Sequence, residues 1–470
     1  MSKKSDFSEW YNEVIEKSNM IDKRYPVKGM NIWLPQGWNL MLNIDSYIRK
    51  EMEAFNYEEV YFPLLIPETE FNKEKEHIKG FNDEVYWATR AGNNELDIKL
   101  LLRPTSETAM YPIFSEWIRS HTNLPLKIFQ IVNTFRYETK QTRAFVRVRE
   151  IHFFEAHTCH ESYESAENEI QTELEIMKKV ANAISIPYVV CKRPDWDKFP
   201  GAVYSLGIDT FMGGRTLQIG SIHQYGQNFS KAYGISFEDK DGTWKYAYQT
   251  TYGMSERLVG AIVGVHGDDL GLIVPPSVSP CQVVIVPIYN KTTEQKIKEE
   301  SKMLFELLKS HGIRVKVDDR DITPGNKFYY WEQLGVPIRL EIGEKEVTKG
   351  EYKIKIRVNN EARFIKKSDI LQNPYKLFSE IFSEISFIMY KKAKEEFDKS
   401  FIDTQDFKEM KEKEGMFKVQ WCGDENCAKA MEEQTGMKLL GTLYGHNEAK
   451  GKCLLCGKES KDILVYAKSF

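Results

Sequence analysis

The chain has 470 residues, too many for one hydrophobic core, so two or three domains are expected. A content of 41% hydrophobic and 13% aromatic residues excludes a disordered chain, and no apolar run approaches the roughly 18 residues of a membrane helix. With 65 basic and 69 acidic residues the net charge is −4, which neither supports nor excludes nucleic-acid binding.

Met1 to Asp6 lacks the apolar core of a signal peptide, which predicts a cytoplasmic location. A short helix is expected over Phe7–Ser18, containing Trp10, Val14 and Ile15. A longer helix over Trp38–Phe55 carries Leu42, Tyr47, Ile48 and Met52 on an apolar stripe. A strand over Glu58–Phe62 stops at Pro63. Ile128 to Val132 reads as a strand that continues into the triplet Arg136-Tyr137-Glu138. A polar loop with Lys140 and Arg143 follows, then a returning segment, Phe145 to Arg149. Glu164–Ala183 reads as a helix with Ile170, Leu174, Met177 and Val180 spaced by three and four. Strands at Thr216–Ile222 and Trp244–Thr251 alternate with turns and not with crossover helices, so residues 1–277 are expected to form an α+β unit on an antiparallel sheet.

Pro275-Pro276-Ser277 marks the first domain boundary. A strand at Gln282–Val286, a helix at Thr293–Ser310 capped by Gly312, a strand at Ile313–Val317, a helix near Lys327–Leu334 and a strand at Ile338–Ile342 then predict a small α/β domain over 278–390. Residues 391–414 mix charges of both signs and read as a solvated helical connector, leading to a small C-terminal domain over 391–470.

Arg136 and Glu138 sit two residues apart, so on a strand they share a face. An arginine there can hold phosphate in a planar fork while the glutamate accepts from an exocyclic amine. A cross-strand ion pair on a hairpin is the competing reading. Arg103-Pro104-Thr105-Ser106-Glu107-Thr108 precedes a helical run. Either Thr105 or Ser106 caps that helix, or Thr105 and Glu107 form a receptor for a small ammonium. In the strand around Gln218, alternation puts Gln218, Gly220 and Ile222 on one face and Ile219, Ser221 and His223 on the other. His223 alone reads more readily as structural. Gly253 to Gly260 is expected to enter a helix reaching Ile262 and Val263. Arg257 in its first turn makes an anion site, against the alternative of a solvated surface arginine.

Of the seven cysteines, Cys159, Cys191 and Cys281 stand alone and read as small apolar groups. Cys422 with Cys427 and Cys453 with Cys456 form two close pairs. Four thiolates fill a tetrahedral shell, so the pairs predict a structural zinc site.

Taken together these segments resemble the three motifs of class II aminoacyl-tRNA synthetases. Tyr57 to Pro63 is similar to motif 1, Phe135 to Glu138 with its loop to motif 2, and Gly253 to Arg257 to motif 3. Arg103 to Thr108, Gly226 to Ser230, His266-Gly267-Asp268, Asp319-Arg320-Asp321 and Gly335 to Arg339 extend the resemblance, in order and over nearly the whole chain, to prolyl-tRNA synthetases of the archaeal and eukaryotic type.

The resemblance implies an enzyme that activates L-proline with ATP and Mg²⁺ and transfers it to tRNA(Pro), working as a homodimer through motif 1. Arg136 would bridge the ATP α-phosphate and the proline carboxylate, and Arg257 would stack on adenine and approach the γ-phosphate. Glu138 would hold the adenine amine, and Arg147, Val148, Gln218, Ser221 and Ser255 would line the nucleotide site. Thr105 and Glu107 would take the proline ammonium, with Phe153 and His223 walling its ring. In the α/β domain, Glu332 and Arg339 match positions that read anticodon bases. Ser221 stands where a threonine is common, Phe153 where a tryptophan can occur, and Phe470 where the family usually ends in tyrosine. A synthetase for another small amino acid and a non-enzymatic tRNA-binding relative are the alternatives. The stretch between Glu138 and Gly253 holds no spare run of about 50 residues for an editing domain, so hydrolysis of alanyl-tRNA is not expected.

Overall fold

Apolar residues from Leu126 to Phe135 and from Glu150 to His160 form the hairpin on which the molecule is built. The two strands pair antiparallel from Leu126↔Cys159 to Phe135↔Glu150. The computed structural model describes residues 2–3, 5–73, 84–138, 141–446 and 449–470. From this hairpin the sheet grows through Tyr248–Ser255, Arg215–Gly226, Tyr204–Met212 and Val189–Lys192, every pairing antiparallel. Glu58–Glu59 adds a parallel edge. Among the described residues no helix is long and apolar enough to cross a membrane.

Three helices cover one face of this sheet. Phe7–Lys17 starts where the Asp6 side chain accepts from Glu9 N, and Tyr163–Ala183 where Ser162 accepts from Ser165 N. In Pro35–Ala54 the buried stripe runs Leu40, Ile44, Ile48 and Met52, four residues apart. Each side chain so buried contributes roughly 1.5–3 kcal/mol. Leu42, expected on that stripe, is 37% exposed, because two residues along a helix turn it away from Leu40. Ile170, Met177 and Val180 pack from the third helix against Ile208, Ile222 and Tyr252 of the sheet, with Leu174 half-buried. The opposite face of the central strands opens into a cleft.

Three expectations change, and the helix expected to reach Ile262 and Val263 does so with a change of type. The strand at Glu58–Phe62 is only Glu58–Glu59, because the Gln130 side chain takes the Phe62 N–H at 2.9 Å and Arg103 takes the Phe62 carbonyl at 2.7 Å. Trp244–Thr251 is two strands: Trp244–Tyr246 pairs with Ser236–Glu238, and Tyr248–Ser255 joins the main sheet. The helix at Arg257 runs to Ala261 and continues as a π-helical turn, Ile262–His266. The connector over 391–414 is neither wholly helical nor wholly solvated: it holds the end of the helix Pro374–Lys399, the strand Phe401–Asp403 and the helix Phe407–Glu412, with Phe397 and Met410 buried.

Val283–Pro287, Val315–Val317 and Ile338–Ile342 are parallel strands of a separate five-stranded sheet, extended antiparallel by Glu351–Ile356 and Ala362–Lys366. Asp268, from the end of the first unit, holds this sheet through Arg357 at 2.8 Å and 2.5 Å.

The C-terminal segment does not stand apart. Phe401–Asp403, Met416–Trp421, Asp462–Ala467 and Lys438–Leu443 extend the main sheet to eleven strands, joined where Thr442 and Leu443 pair with Lys192 and Cys191. Gly441 makes the joint possible. It has φ +119, lies at a bulge, and a Cβ there would meet the Lys192 carbonyl at 2.1 Å. Gly441→Ala is therefore expected to cost roughly 2–4 kcal/mol through strain and overpacking. Urea unfolding with unchanged stability would show that the joint tolerates a side chain.

Candidate active site and metal centre

Arg103 is 2% exposed and spends its guanidinium on the main chain, donating to Asn133 O at 2.8 Å as well as to Phe62 O. It pins the segment that follows against the end of the hairpin. The helix Glu107–Trp117 then begins without a side-chain cap from Thr105 or Ser106. Instead the Glu155 carboxylate of the neighbouring strand accepts from Ser106 N at 3.2 Å, from the Ser106 hydroxyl, and from Gln130 Nε2 at 2.8 Å. Thr105 donates to Glu107 Oε2, and Tyr225 donates to Glu107 Oε1 at 2.7 Å. Glu107 is 2% exposed. A buried carboxylate held by neutral hydroxyls at the wall of a cleft has the chemistry to accept hydrogen bonds from a cationic group.

The triplet Arg136-Tyr137-Glu138 lies just beyond the last ladder pair, Phe135↔Glu150, and not on the strand. Arg136 N donates to Arg149 O at 3.0 Å, and Glu138 N to Arg136 O at 2.8 Å. Arg136 Nε donates to Pro104 O at 3.1 Å, which seats the guanidinium beside Thr105 and Glu107. Glu138 Oε2 takes Arg147 Nη1 at 2.8 Å. The returning segment is mostly turn, with Phe145 at φ +59 and one bridge between Arg143 and Arg147. Lys140 lies outside the described residues. Arg147 Nη2 also donates to the Phe470 main-chain oxygen at 3.1 Å, and the Phe470 ring lies against Phe7 and Arg143.

Strict alternation fails at Gln218. Opposite Ile208 and Asp209 the register shifts, so that Asp209 pairs with Gln218 and Ile208 with Gly220, leaving Ile219 as an extra residue. This bulge turns Gln218 to the face that carries Ser221 and His223, while Ile219 and Ile222 both enter the core. Gly253 pairs with Ser221 across the strands, and a Cβ on Gly253 would meet the Phe153 ring at 3.0 Å. His223 bonds Ser205 Oγ through Nδ1 at 2.7 Å and packs 4.7 Å from Phe199. Burial, partly offset by the Glu107 charge, pulls its pKa down to about 4, so the ring is neutral at pH 7.

Arg257 donates from Nε to Val146 O at 2.9 Å and from Nη1 to Gln218 O at 3.2 Å. Its backbone N donates to Ser255 Oγ at 3.3 Å. Burial lowers the pKa of Arg136 and of Arg257 from the ordinary arginine value. One cleft of about 910 Å³ brings together Thr105, Glu107, Arg136, Glu138, Arg147, Val148, Phe153, Gln218, Ser221, His223, Ser255 and Arg257. Arg257 is thus no surface arginine.

Sequence reasoning missed Glu84, Arg193, Phe199, Asp209 and Glu256, which line the same cleft. Glu256 adjoins Arg257 in sequence and could have been read as its partner. Burial pushes its pKa up to about 7. Arg193 and Asp209 carried no local signal; they meet at 2.9 Å only through strand pairing.

Glu332 and Arg339 meet in the second unit. Arg339 Nη1 donates to Glu332 Oε1 at 2.8 Å, its other nitrogens hold Glu341, and the guanidinium lies over Phe328 at 3.8 Å. Both border a cavity of about 250 Å³. The Arg339 side chain is 10% exposed and that of Glu332 28%, so Glu332 is the more accessible group and Arg339 its support.

Cys422, Cys427, Cys453 and Cys456 converge, their sulfurs all within 4.8 Å of one another and those of Cys422 and Cys456 3.6 Å apart. Four sulfurs about 2.3 Å from a tetrahedral zinc lie about 3.8 Å apart. The donor set and its spacing fit that ion.

The chain matches the model of the tRNA synthetase class II core domain (G, H, P, S and T) over residues 86–266, the anticodon binding domain over 282–373, and the C-terminal domain of prolyl-tRNA synthetase over 404–470. It is 49% identical to a proline–tRNA ligase of Thermococcus kodakarensis, covering 99% of this chain and 98% of that one. It is 47% identical to one of Thermoplasma acidophilum over all of both chains. A Giardia lamblia prolyl-tRNA synthetase in complex with prolyl-adenylate superposes with a TM-score of 0.96 at 30% identity, covering 100% of this chain and 99% of the other. A Cryptosporidium parvum prolyl-tRNA synthetase complexed with halofuginone and AMPPNP gives 0.93 at 33% identity, covering 100% and 96%. The chain belongs to the prolyl-tRNA synthetase family of class II aminoacyl-tRNA synthetases.

Proposed function

We propose that the cleft carries out proline–tRNA ligation in two steps. A proline carboxylate oxygen attacks the ATP α-phosphorus and the bond to pyrophosphate breaks. The terminal ribose hydroxyl of tRNA(Pro) then attacks the carbonyl carbon of the mixed anhydride and AMP leaves. The observation that carries this reading is the placing of Glu107 and Arg136 in one cleft with Arg257. A zwitterion is matched at both ends, and a second cation waits for the phosphates.

In this reading Arg136 bridges the proline carboxylate and the α-phosphate. Arg257 covers adenine and neutralises the departing phosphates, Glu138 accepts from the adenine amine, and Arg147, Val148, Gln218, Ser221 and Ser255 shape the nucleotide site. Thr105 and Glu107 take the ammonium, and Phe153 and His223 wall the ring. Such chemistry needs positioning and charge neutralisation more than a protein base. Magnesium enters with ATP, and the carboxylates of Glu84 and Glu256 in the cleft are hard donors of the kind it takes. Cys422, Cys427, Cys453 and Cys456 would hold a structural zinc that closes the C-terminal module.

Residues 1–277 form the catalytic domain, 278–390 the anticodon-binding domain and 391–470 the zinc-binding domain. A homodimer is supported by an apolar cavity of about 580 Å³ beside Pro63, where Tyr61 is 79% and Trp117 46% exposed. A cytoplasmic location goes with the use of tRNA and ATP.

ATP–pyrophosphate exchange without tRNA, tested with each of twenty amino acids, should be driven best by proline. Arg257→Ala should lose roughly 3–5 kcal/mol of transition-state stabilisation, a fall of about 10² to 10⁴ in exchange. Better exchange with another amino acid sinks the substrate assignment, and near-normal exchange by folded Arg257→Ala sinks the arginine's role.

A neutral His223 has a measurable consequence. Its folded pKa of about 4 lies below the ordinary 6.5, so the unfolded chain binds its proton first as pH falls. The stability of the unsubstituted chain relative to His223→Asn should hold above pH 6.5 and fall by up to about 3 kcal/mol toward pH 4. A difference that is flat with pH would mean the ring titrates normally.

Glu332→Ala should weaken tRNA charging by roughly 1–3 kcal/mol, the worth of a base-edge contact, while exchange is spared. Arg339→Ala should act in the same direction with an added loss of stability, since Glu341 loses a partner. Equal loss in both assays would make the pair structural only.

Elemental analysis should find about one zinc per chain, and Cys453→Ser should remove it and loosen the C-terminal module more than it slows exchange. A zinc-free chain, prepared without chelator, whose C-terminal module stays folded would defeat the assignment.

A further inference from the structure

Arg193 belongs to none of the motifs. It follows the strand Val189–Lys192 and reaches across Gly207 of the next strand, Tyr204–Met212. A Cβ on Gly207 would lie 2.3 Å from Arg193 Nη2. Gly207 is not among the glycines with positive φ, so space and not backbone conformation requires it. Once across the strand, the guanidinium has three partners. Nη1 donates to Leu440 O at 2.7 Å, and Nη2 donates to Asp209 Oδ2 at 2.9 Å and to Gln218 Oε1 at 3.3 Å. The Arg193 side chain is 11% exposed and that of Asp209 3%.

A guanidinium can only donate. Gln218 must therefore turn its amide oxygen toward Arg193; of the two NH₂ hydrogens one goes to Gly220 O at 3.4 Å, and the other is left as the donor on the cleft side. The bulge at Ile219 brings Gln218 to the cleft, and Asp209, which fixes Arg193, is the residue paired with Gln218 across that bulge. Leu440 belongs to the strand Lys438–Leu443 of the C-terminal segment. The orientation of one amide in the cleft thus depends on a carbonyl more than 200 residues away in sequence.

We propose that Arg193 is a positioning residue for ATP, holding Gln218 as a hydrogen-bond donor to the nucleotide and locked in turn by the main chain of the C-terminal segment. The proposal rests on the cleft being the ATP site. An amide fixed before the ligand arrives loses little conformational freedom on binding, so the effect falls on nucleotide affinity and not on proline.

Gly207→Ala tests this in the full chain, because the added methyl displaces only the far end of a flexible side chain and removes no charge. Arg193→Lys is the second variant. A point charge can still pair with Asp209 but cannot span Leu440 O and Gln218 together. Calorimetric titration with ATP alone should show affinity about tenfold weaker in each variant, the worth of one oriented hydrogen bond. In pyrophosphate exchange the KM for ATP should rise equally, while kcat and the KM for proline stay within about twofold. Combining Gly207→Ala with Gln218→Ala should add less than about twofold to Gln218→Ala alone. Thermal melts report folding, and Arg193→Lys carries the test if Gly207→Ala melts early. Unchanged ATP affinity in a folded variant, or a full additive loss in the double variant, overturns the inference. ATP binding by the unsubstituted chain without proline-dependent exchange would count against the proposed reaction and leave the calorimetric test of Arg193 intact.

Discussion

Arg257 is satisfied by two main-chain carbonyls, those of Val146 and Gln218. Both are neutral, so they use its N–H groups without cancelling its charge. The cation is half-buried at the wall of the cleft, where its field acts on a ligand at lower effective dielectric than in bulk water. Burying a charge in this way is costly unless an anion is to arrive. Much of the surrounding fold keeps those carbonyls where they are. Val146 lies in the turn after the hairpin, which the Arg143–Arg147 bridge closes and the positive φ of Phe145 bends. Gln218 stands at the bulge, one residue before the unpaired Ile219.

A similar arrangement supports the end of the cleft that holds Glu107. Glu155 gathers Ser106 and Gln130, while Thr105 donates to Glu107. Arg103 donates to the carbonyls of Asn133 and Phe62. It ties together the motif 1 strand end, the hairpin and the start of the helix at Glu107. Removing any one of these supports would move Glu107 relative to Arg136.

The fold class was legible because the antiparallel pattern and the strand-helix alternation of the second unit are local signals. The cysteine cluster was legible for the same reason: short spacings within each pair leave the thiolates little choice but to converge. The failures all involve residues that meet only through pairing. Alternation misplaced Gln218 because a bulge depends on the partner strand, and nothing near Gln218 in sequence announces Ile219 as extra. Arg136 was put on a strand because its apolar run continues to Phe135, whereas the ladder ends there. Capping by Thr105 or Ser106 and an ammonium receptor stay open as alternatives in the sequence because the residue types suit both, whereas in the fold Ser106 is held by Glu155, some fifty residues later, and no side chain caps the helix. The charges of 391–414 suggested solvent, although Phe397 is buried and Phe401–Asp403 joins a sheet. Charge composition reports the outer face of an element and is silent about its inner one.

The joining of the C-terminal segment to the main sheet changes how that segment must be regarded. A module appended by a linker could be lost with little effect on the cleft. Here Thr442 and Leu443 are paired with Lys192 and Cys191, Phe470 N donates to Thr216 O, and Lys438, Leu439 and Leu440 help to line the cleft itself. Sheet pairing transmits register: a slip of one residue would turn each side chain of the slipped strand to the opposite face. The bulge at Leu439 and Gly441 sets that register, and the cysteine cluster ties the turn before the helix Glu425–Thr435 to the loop before Asp462–Ala467. A structural metal at that point would secure the strands that reach the cleft. It could therefore matter to nucleotide binding with no ligand atom of its own in the active site.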